Sequence, residues 1–135
     1  MGAARSPIVV AELDHVVLRC RDQARMLDFY TRILGLVEER RIEAIGLVQL
    51  RAGRSMVDLV PGTPVGIEGA NVDHVCLAIA PTDMDAVVGH LHACGVETLG
   101  DPTIRYGATG YGLSVYLRDP ESNVVELKVP GDGAA

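Results

Sequence analysis

A short apolar pattern occurs twice in this chain and limits what the chain can fold into. LDHVVL at residues 13–18 returns as VDHVCL at residues 72–77, so that His15 corresponds to His74. The flanking segments repeat in the same order, and a helix-like stretch ends at Gly35 in the first half and at Gly95 in the second. An internal repeat this ordered indicates a duplicated structural unit.

Each half predicts one helix and several strands. The helical stretches are DQARMLDFYTRILGL, which has apolar residues at helical spacing, and TDMDAVVGHLHACGV, for which Thr82 is the predicted N-cap. The strand-like stretches of the first half are ELDHVVLR, EERR, IGLVQL and SMVDLV, with a hairpin turn at residues 52–55. Those of the second half are VDHVCLAI, GLSVYL and NVVELKV.

This order predicts an α+β fold built from two tandem βαβββ modules. The modules span residues 10–60 and 72–130, and a linker rich in proline and glycine spans residues 61–71. Together they make one domain of residues 1–135, which is an ordinary length for a single domain.

Alternation along the strands predicts which side chains share a face. The apolar face of each strand should pack on the helix, which leaves His15 and His74 on the opposite, concave face. The closing strands VDLV and VELKV turn Asp58 and Glu126 to the same side. Their hairpin partners add further polar side chains to this concave face, namely Gln49 and Tyr116.

Two histidines and two carboxylates on one face predict a metal site. Buried carboxylates are costly without partners, and a divalent cation satisfies imidazoles and carboxylates together. This nitrogen and oxygen donor set suits Ni, Zn, Mn, Co or Fe(II). Such a metal can hold a substrate through two oxygens and act as a Lewis acid, while a carboxylate at its edge moves a proton.

The same segments resemble a known superfamily. LDHVVLRCRDQARMLDFYTRILGL resembles the opening of vicinal oxygen chelate proteins, the glyoxalase/bleomycin-resistance/dioxygenase superfamily, and VYLRDPESNVVEL resembles the closing hairpin of their second module. YGATGYGLSVYLRDPESNVVEL is similar to the glyoxalase-domain branch that includes bacterial virulence proteins. The resemblance covers roughly residues 12–129. It implies paired modules that form a curved mixed sheet around a concave cleft, usually in a homodimer whose sites can draw one module from each subunit.

The resemblance also implies roles for individual residues. The family's metal ligands correspond to His15, His74, Glu126 and Asp58, although Asp58 is shorter than the glutamate of glyoxalase I and is expected to reach the metal through water or to act as the base. The implied catalytic groups are Glu126, Asp58 and Tyr116. The implied substrate-binding groups are Gln49, Tyr116, Arg19 and Ser114.

Three functions remain open at this point. The first is a divalent-metal-dependent lyase or isomerase of the glyoxalase type, acting on a small substrate with vicinal oxygens. The second is a metal-free binding protein that sequesters an antibiotic or other natural product, as bleomycin-resistance proteins do. The third is an Fe(II) extradiol-type dioxygenase, which ranks lower because no histidine stands shortly before Tyr116.

Composition argues against several other classes of partner. The net charge of −6, without a basic run, and the absence of tryptophan argue against a nucleic-acid partner. No apolar run approaches the roughly 18–20 residues that cross a bilayer. The three cysteines form no CxxC pair, and we therefore predict a cytoplasmic protein without disulfides.

Overall fold

Each half of the chain folds into a helix and a four-stranded sheet. The computed structural model describes residues 12–63, 72 and 74–131. The elements of the first half are β1 (His15–Cys20), α1 (Gln23–Asp28) with a following π-helical turn (Phe29–Ile33), β2 (Val37–Ile42), a 3₁₀ turn (Glu43–Ile45), β3 (Leu47–Ala52) and β4 (Ser55–Pro61). Those of the second half are β5 (Val75–Ala78), α2 (Met84–Ala93), β6 (Thr103–Gly107), β7 (Gly110–Arg118) and β8 (Val124–Lys128).

The two sheets have the same topology. Their strand orders are β1-β4-β3-β2 and β5-β8-β7-β6, with one parallel pair at the start of each. The fold predicted from the sequence repeat is therefore confirmed, and the hairpin at residues 52–55 joins β3 to β4 as expected. The predicted linker lies largely outside the described residues, which resume at residues 72 and 74.

Three local predictions need correction. The helix α2 is capped by Asp83 rather than Thr82, because the backbone of Asp83 is extended and its carboxylate accepts a hydrogen bond from the Asp85 amide at 3.1 Å. Strand β5 starts only at Val75, directly after His74. Strand β6 has no counterpart among the predicted strands, because four of its five residues are exposed and show no alternation.

The registers of the two sheets coincide at the polar positions. Asp58 lies opposite Gln49 in the antiparallel pair β3–β4, and Glu126 lies opposite Tyr116 in β7–β8. In the parallel pairs, Val17 faces Asp58 and Cys76 faces Glu126. We call the sheet face that carries Asp58 and Glu126 the site face.

The opposite faces of both sheets pack against the helices in one shared core. The inward residues of the central strands are fully or nearly fully buried, and α1 and α2 contribute Met26 and Leu91 to the same cluster. The buried strand residues are Val48, Leu50, Val57, Leu59, Val115, Leu117, Val125 and Leu127. None of the helices in the described part of the chain is long and apolar enough to span a membrane.

A buried carboxylate at the end of β7 ties the two halves together. Asp119, which is 4% exposed, accepts hydrogen bonds from the Tyr30 hydroxyl at 2.8 Å and from the side-chain amide of Asn123 at 2.7 Å. It also accepts from the backbone amides of Glu121 and Asn123. Tyr30 belongs to the first half, so this network fixes the α1 segment against the β7–β8 turn. Burial, with the nearby Asp119 charge, raises the pKa of Tyr30 well above its usual range.

Two glycines offer a matched test of backbone packing. A Cβ on Gly112 would lie 2.0 Å from the carbonyl oxygen of Val129, so we expect Gly112→Ala to push apart the neighbouring backbones of β7 and the segment after β8, at a cost of about 2–4 kcal/mol. Gly89 lies within α2 with nothing near its missing Cβ, so we expect Gly89→Ala to stabilise the protein by up to about 1 kcal/mol. Urea denaturation of both variants measures the difference, and equal midpoints would contradict the close approach at Gly112.

Candidate metal centre

The aspartate of the first DH pair orients its histidine. Asp14 Oδ1 lies 2.7 Å from His15 Nδ1, and the histidine side chain is 47% exposed on the site face. This hydrogen bond is the main reason that the pKa of His15 is raised, with burial opposing it and the Asp58 charge adding to it. A carboxylate on Nδ1 selects the tautomer in which Nε2 carries the free lone pair, which is how metal-binding histidines are commonly held.

Asp58 is a buried carboxylate with one unsatisfied oxygen. The residue is 3% exposed, and its Oδ2 accepts a hydrogen bond from Gln49 Nε2 at 3.2 Å. Its Oδ1 is buried and has no hydrogen-bond partner among the described residues. An oxygen of this kind is costly unless a cation or a donor reaches it.

The second half places a histidine directly against a buried carboxylate. His74 Nε2 lies 3.1 Å from Glu126 Oε1, and Glu126 is 5% exposed. The other oxygen, Oε2, accepts a hydrogen bond of 2.6 Å from the hydroxyl of Ser114, which is fully buried. Ser114 therefore orients Glu126, and its predicted contact with substrate stays a prediction.

Tyr116 lies beside this pair and accepts a hydrogen bond from Arg105. Its ring packs edge-on against the His74 ring with centroids 5.6 Å apart. Arg105 donates from Nε to the Tyr116 hydroxyl at 3.3 Å, and its guanidinium carbon lies 6.0 Å from the ring centroid. Arg19, the remaining predicted substrate contact, is exposed on β1 next to Gly62.

The predicted ligands form two pairs in this chain. His15 and Asp58 lie on the site face of the first sheet, where the Asp58 charge acts on the imidazole, and His74 contacts Glu126 in the second half. In the described part of the chain, no three side chains of the histidine, cysteine or acidic type come close enough to hold one metal ion. Each half still offers an imidazole and a buried carboxylate, which are suitable ligands for a divalent cation. A bound cation would also satisfy the Asp58 oxygen that has no hydrogen-bond partner among the described residues. The residues therefore fit a metal once two pairs are brought together.

One charged residue on the site face is not identified by the metal pattern. Lys128 lies two residues after Glu126 on β8, and it is 3% exposed. It is the only lysine in the chain, since the other eleven of the twelve basic residues are arginines. Strand alternation from Glu126 was the signal that could have identified it.

The reactivity of the Cys76 thiol depends in part on the charge of Glu126. Partial burial of its sulfur, followed by the Glu126 charge, raises the pKa of this surface thiol from 9.0 to about 11. The thiol therefore stays protonated at pH 8, and its thiolate fraction is about 100-fold below that of an unperturbed cysteine. We expect iodoacetamide to alkylate Cys76 correspondingly more slowly in the native protein than in urea, as followed by mass spectrometry. Glu126→Gln should speed the native reaction, and equal native and unfolded rates would contradict this environment.

Comparisons with known proteins agree with the fold. The family described as the Glyoxalase/Bleomycin resistance protein/Dioxygenase superfamily matches residues 12–127. The glyoxalase domain-containing protein RDO1 of Mycosarcoma maydis is 31% identical over 122 residues, which cover 87% of this chain and 68% of RDO1. Virulence protein STM3117 of Salmonella typhimurium is 26% identical over 125 residues, which cover 89% of this chain and 85% of that protein.

Solved structures give the same result. The crystal structure of STM3117 matches with a TM-score of 0.74 at 24% identity, covering 92% of this chain and 100% of that one. Lactoylglutathione lyase from Agrobacterium tumefaciens matches with a TM-score of 0.65 at 21% identity, covering 92% of this chain and 96% of that one. At these identities the structural likeness establishes the fold alone.

Proposed function

Because this chain belongs to the glyoxalase/bleomycin resistance protein/dioxygenase superfamily, we propose that it is a divalent-metal-dependent enzyme. Its chemistry is of the glyoxalase type, a lyase or isomerase reaction on a small substrate with vicinal oxygens. One observation carries the proposal: each half has a buried carboxylate, Asp58 or Glu126, at the same place in its sheet register, and a histidine two residues before the residue that faces it. We place the protein in the reducing cytoplasm, in keeping with the free thiols of Cys20, Cys76 and Cys94.

The site is completed by a second copy of the chain. In this proposal His15 and Asp58 of one subunit join His74 and Glu126 of the other, so that a homodimer holds two equivalent sites. The arrangement accounts for the two separate pairs within one chain and gives the unsatisfied oxygen of Asp58 a charged partner. His15, His74 and Glu126 are the direct ligands, and Asp58 is either a fourth ligand or the general base.

The bound metal supplies Lewis-acid stabilisation of negative charge that develops on the substrate oxygens. Asp58 is suited to moving a proton, because one of its oxygens is held by Gln49 and the other has no donor among the described residues. The Tyr116 hydroxyl contacts the substrate, and Arg105 orients that hydroxyl by donating a hydrogen bond to it. Ser114 holds the Glu126 carboxylate in its orientation through a hydrogen bond. Arg19 is exposed on β1, where it can contact substrate that enters the site.

Mixing two inactive variants tests the cross-subunit site. His15→Ala and His74→Ala homodimers should each bind no metal, whereas dimers refolded from an equal mixture should recover about one quarter of the wild-type metal content. The reason is that half of the dimers are mixed, and each mixed dimer keeps one intact site of two. The measurement is elemental analysis of the dimer fraction after loading with Ni, Mn, Fe(II), Co or Zn.

The alternatives give different results. A site contained within one chain would show no recovery in the mixture, because every chain would lack one histidine. Wild-type protein that takes up no metal under any loading would overturn the metal-dependent function. That result would favour a metal-free binding protein for a natural product, a reading that draws support from Glu126, both of whose carboxylate oxygens already have protein partners.

A further inference from the structure

Lys128 is a buried cation whose charge has no direct partner in the described structure. Its side chain is 3% exposed, and its ammonium donates a hydrogen bond to the Thr109 hydroxyl at 2.8 Å. None of the ion pairs among the described residues includes Lys128. A buried ammonium normally costs several kcal/mol unless a negative charge and further acceptors reach it.

The carboxylate that precedes Lys128 on the same face of β8 is already engaged. Glu126 lies two residues away on the same face of β8, but its two oxygens contact His74 and Ser114. If Glu126 and His74 hold a metal, the charge of that carboxylate is neutralised by the metal rather than by the lysine. The Lys128 charge is then left for another anion.

The first half of the chain has no equivalent of this lysine. The position two residues after Asp58 is Val60, and the position two residues before Gln49 is Leu47. In the second half the corresponding positions hold Lys128 and Ser114, which lie opposite each other in β7 and β8. Polar residues therefore occupy these two positions only in the second module, so the fold that both modules share does not require them.

The surroundings of the ammonium also suit an anion. The lysine side chain runs towards the β6–β7 hairpin, where its last three atoms lie 3.8 Å from the place of a Cβ on Gly107. Thr109 is exposed at this hairpin, and its hydroxyl accepts from Lys128, so its own proton remains available to a ligand. Arg105 adds a second cation on the same face.

We propose that Lys128, with the Thr109 hydroxyl and Arg105, binds an acid group of the substrate. The inference rests on the proposed function, since it takes the site face as the substrate site, and it narrows the substrate to small molecules that carry a carboxylate or a similar oxyanion. A lysine suits this buried position because its stem is narrow and its charge is compact, unlike the guanidinium fork of arginine.

Sulfate and acetate binding test the proposal without knowledge of the substrate. Calorimetric titrations at constant ionic strength compare wild type, Lys128→Met, Thr109→Val and Arg25→Met, the last being an exposed arginine on α1 that controls for net charge. We expect at least a tenfold loss of affinity in Lys128→Met, a smaller loss in Thr109→Val and a change below twofold in Arg25→Met. Metal content, measured on the same samples, should be unchanged in Lys128→Met.

The single lysine gives a direct second readout. Protein made with ¹³C-labelled lysine has one Cε signal, and we expect it to shift saturably with sulfate in wild type and also in His74→Ala. A Lys128→Met affinity equal to that of Arg25→Met, or saturation without movement of the lysine signal, would overturn the proposal. Lysine-dependent sulfate binding in protein that takes up no metal would uphold the anion site and overturn the metal-dependent function instead.

Discussion

Alanine in place of His74 is expected to lower the affinity for divalent metal by at least about 100-fold, so that protein loaded with one metal per chain retains almost none after desalting. The physical reason is the geometry of the second pair, in which His74 Nε2 lies 3.1 Å from a carboxylate that is 5% exposed. Removal of the imidazole leaves Glu126 as a buried charge with only the Ser114 hydroxyl and its neighbours for support. Elemental analysis and a competition titration with a chromogenic chelator measure the loss.

Asp58→Asn is the informative companion to this variant. The substitution keeps the size of the side chain and removes its charge. If Asp58 is a ligand, the asparagine protein should lose metal much as His74→Ala does. If Asp58 is the general base, metal content should stay at the wild-type value while turnover falls. His92→Ala, at an exposed position of α2, controls for the loss of any histidine, and metal loss in that variant would show that the His74 effect is not local.

Loss of the Asp119 carboxylate is expected to be the largest single effect on stability. Asp119→Ala leaves the buried Tyr30 hydroxyl, the Asn123 side chain and two backbone amides without their acceptor, so we expect a cost of about 3–5 kcal/mol. Domains of this size are stable by only about 5–15 kcal/mol, so the loss should lower the urea midpoint sharply.

Two milder variants divide this network into its parts. Tyr30→Phe removes only the hydrogen bond from the Tyr30 hydroxyl to Asp119 and should cost about 1–2 kcal/mol. Glu121→Ala removes an acceptor of the Arg21 and Asp22 amides in a more exposed place, and it should cost less than about 1 kcal/mol. Urea midpoints that fall equally in all three variants would contradict a central role for Asp119.

The repeat and the strand alternation predicted most of the architecture and the faces on which the polar residues lie. The correspondence of Gln49 with Tyr116, inferred from matching places in LVQL and SVYL, appears as identical pairing with Asp58 and Glu126. These features follow from local rules, because a side-chain period of two acts within each strand and a duplicated segment carries its register with it.

Other features depend on distances that no local pattern contains. Alternation places His15 and His74 on equivalent faces, but it does not say how far apart two sheets lie, and among the described residues no three candidate ligands come together. Strand β6 was not predicted because it lies at the edge of its sheet and is largely exposed. Strand alternation places Lys128 on the same face as Glu126, but it does not show that the lysine is buried.

The division of the ligands into two pairs has a thermodynamic consequence. For a site assembled from two subunits, cation binding and dimer formation are thermodynamically coupled. The cation raises the association constant of the subunits by the same factor by which dimer formation raises the affinity for the cation. Dilution would then release the cation, and chelation would shift the population towards monomers. Metal supply could thus control the quaternary structure of this protein as well as its chemistry.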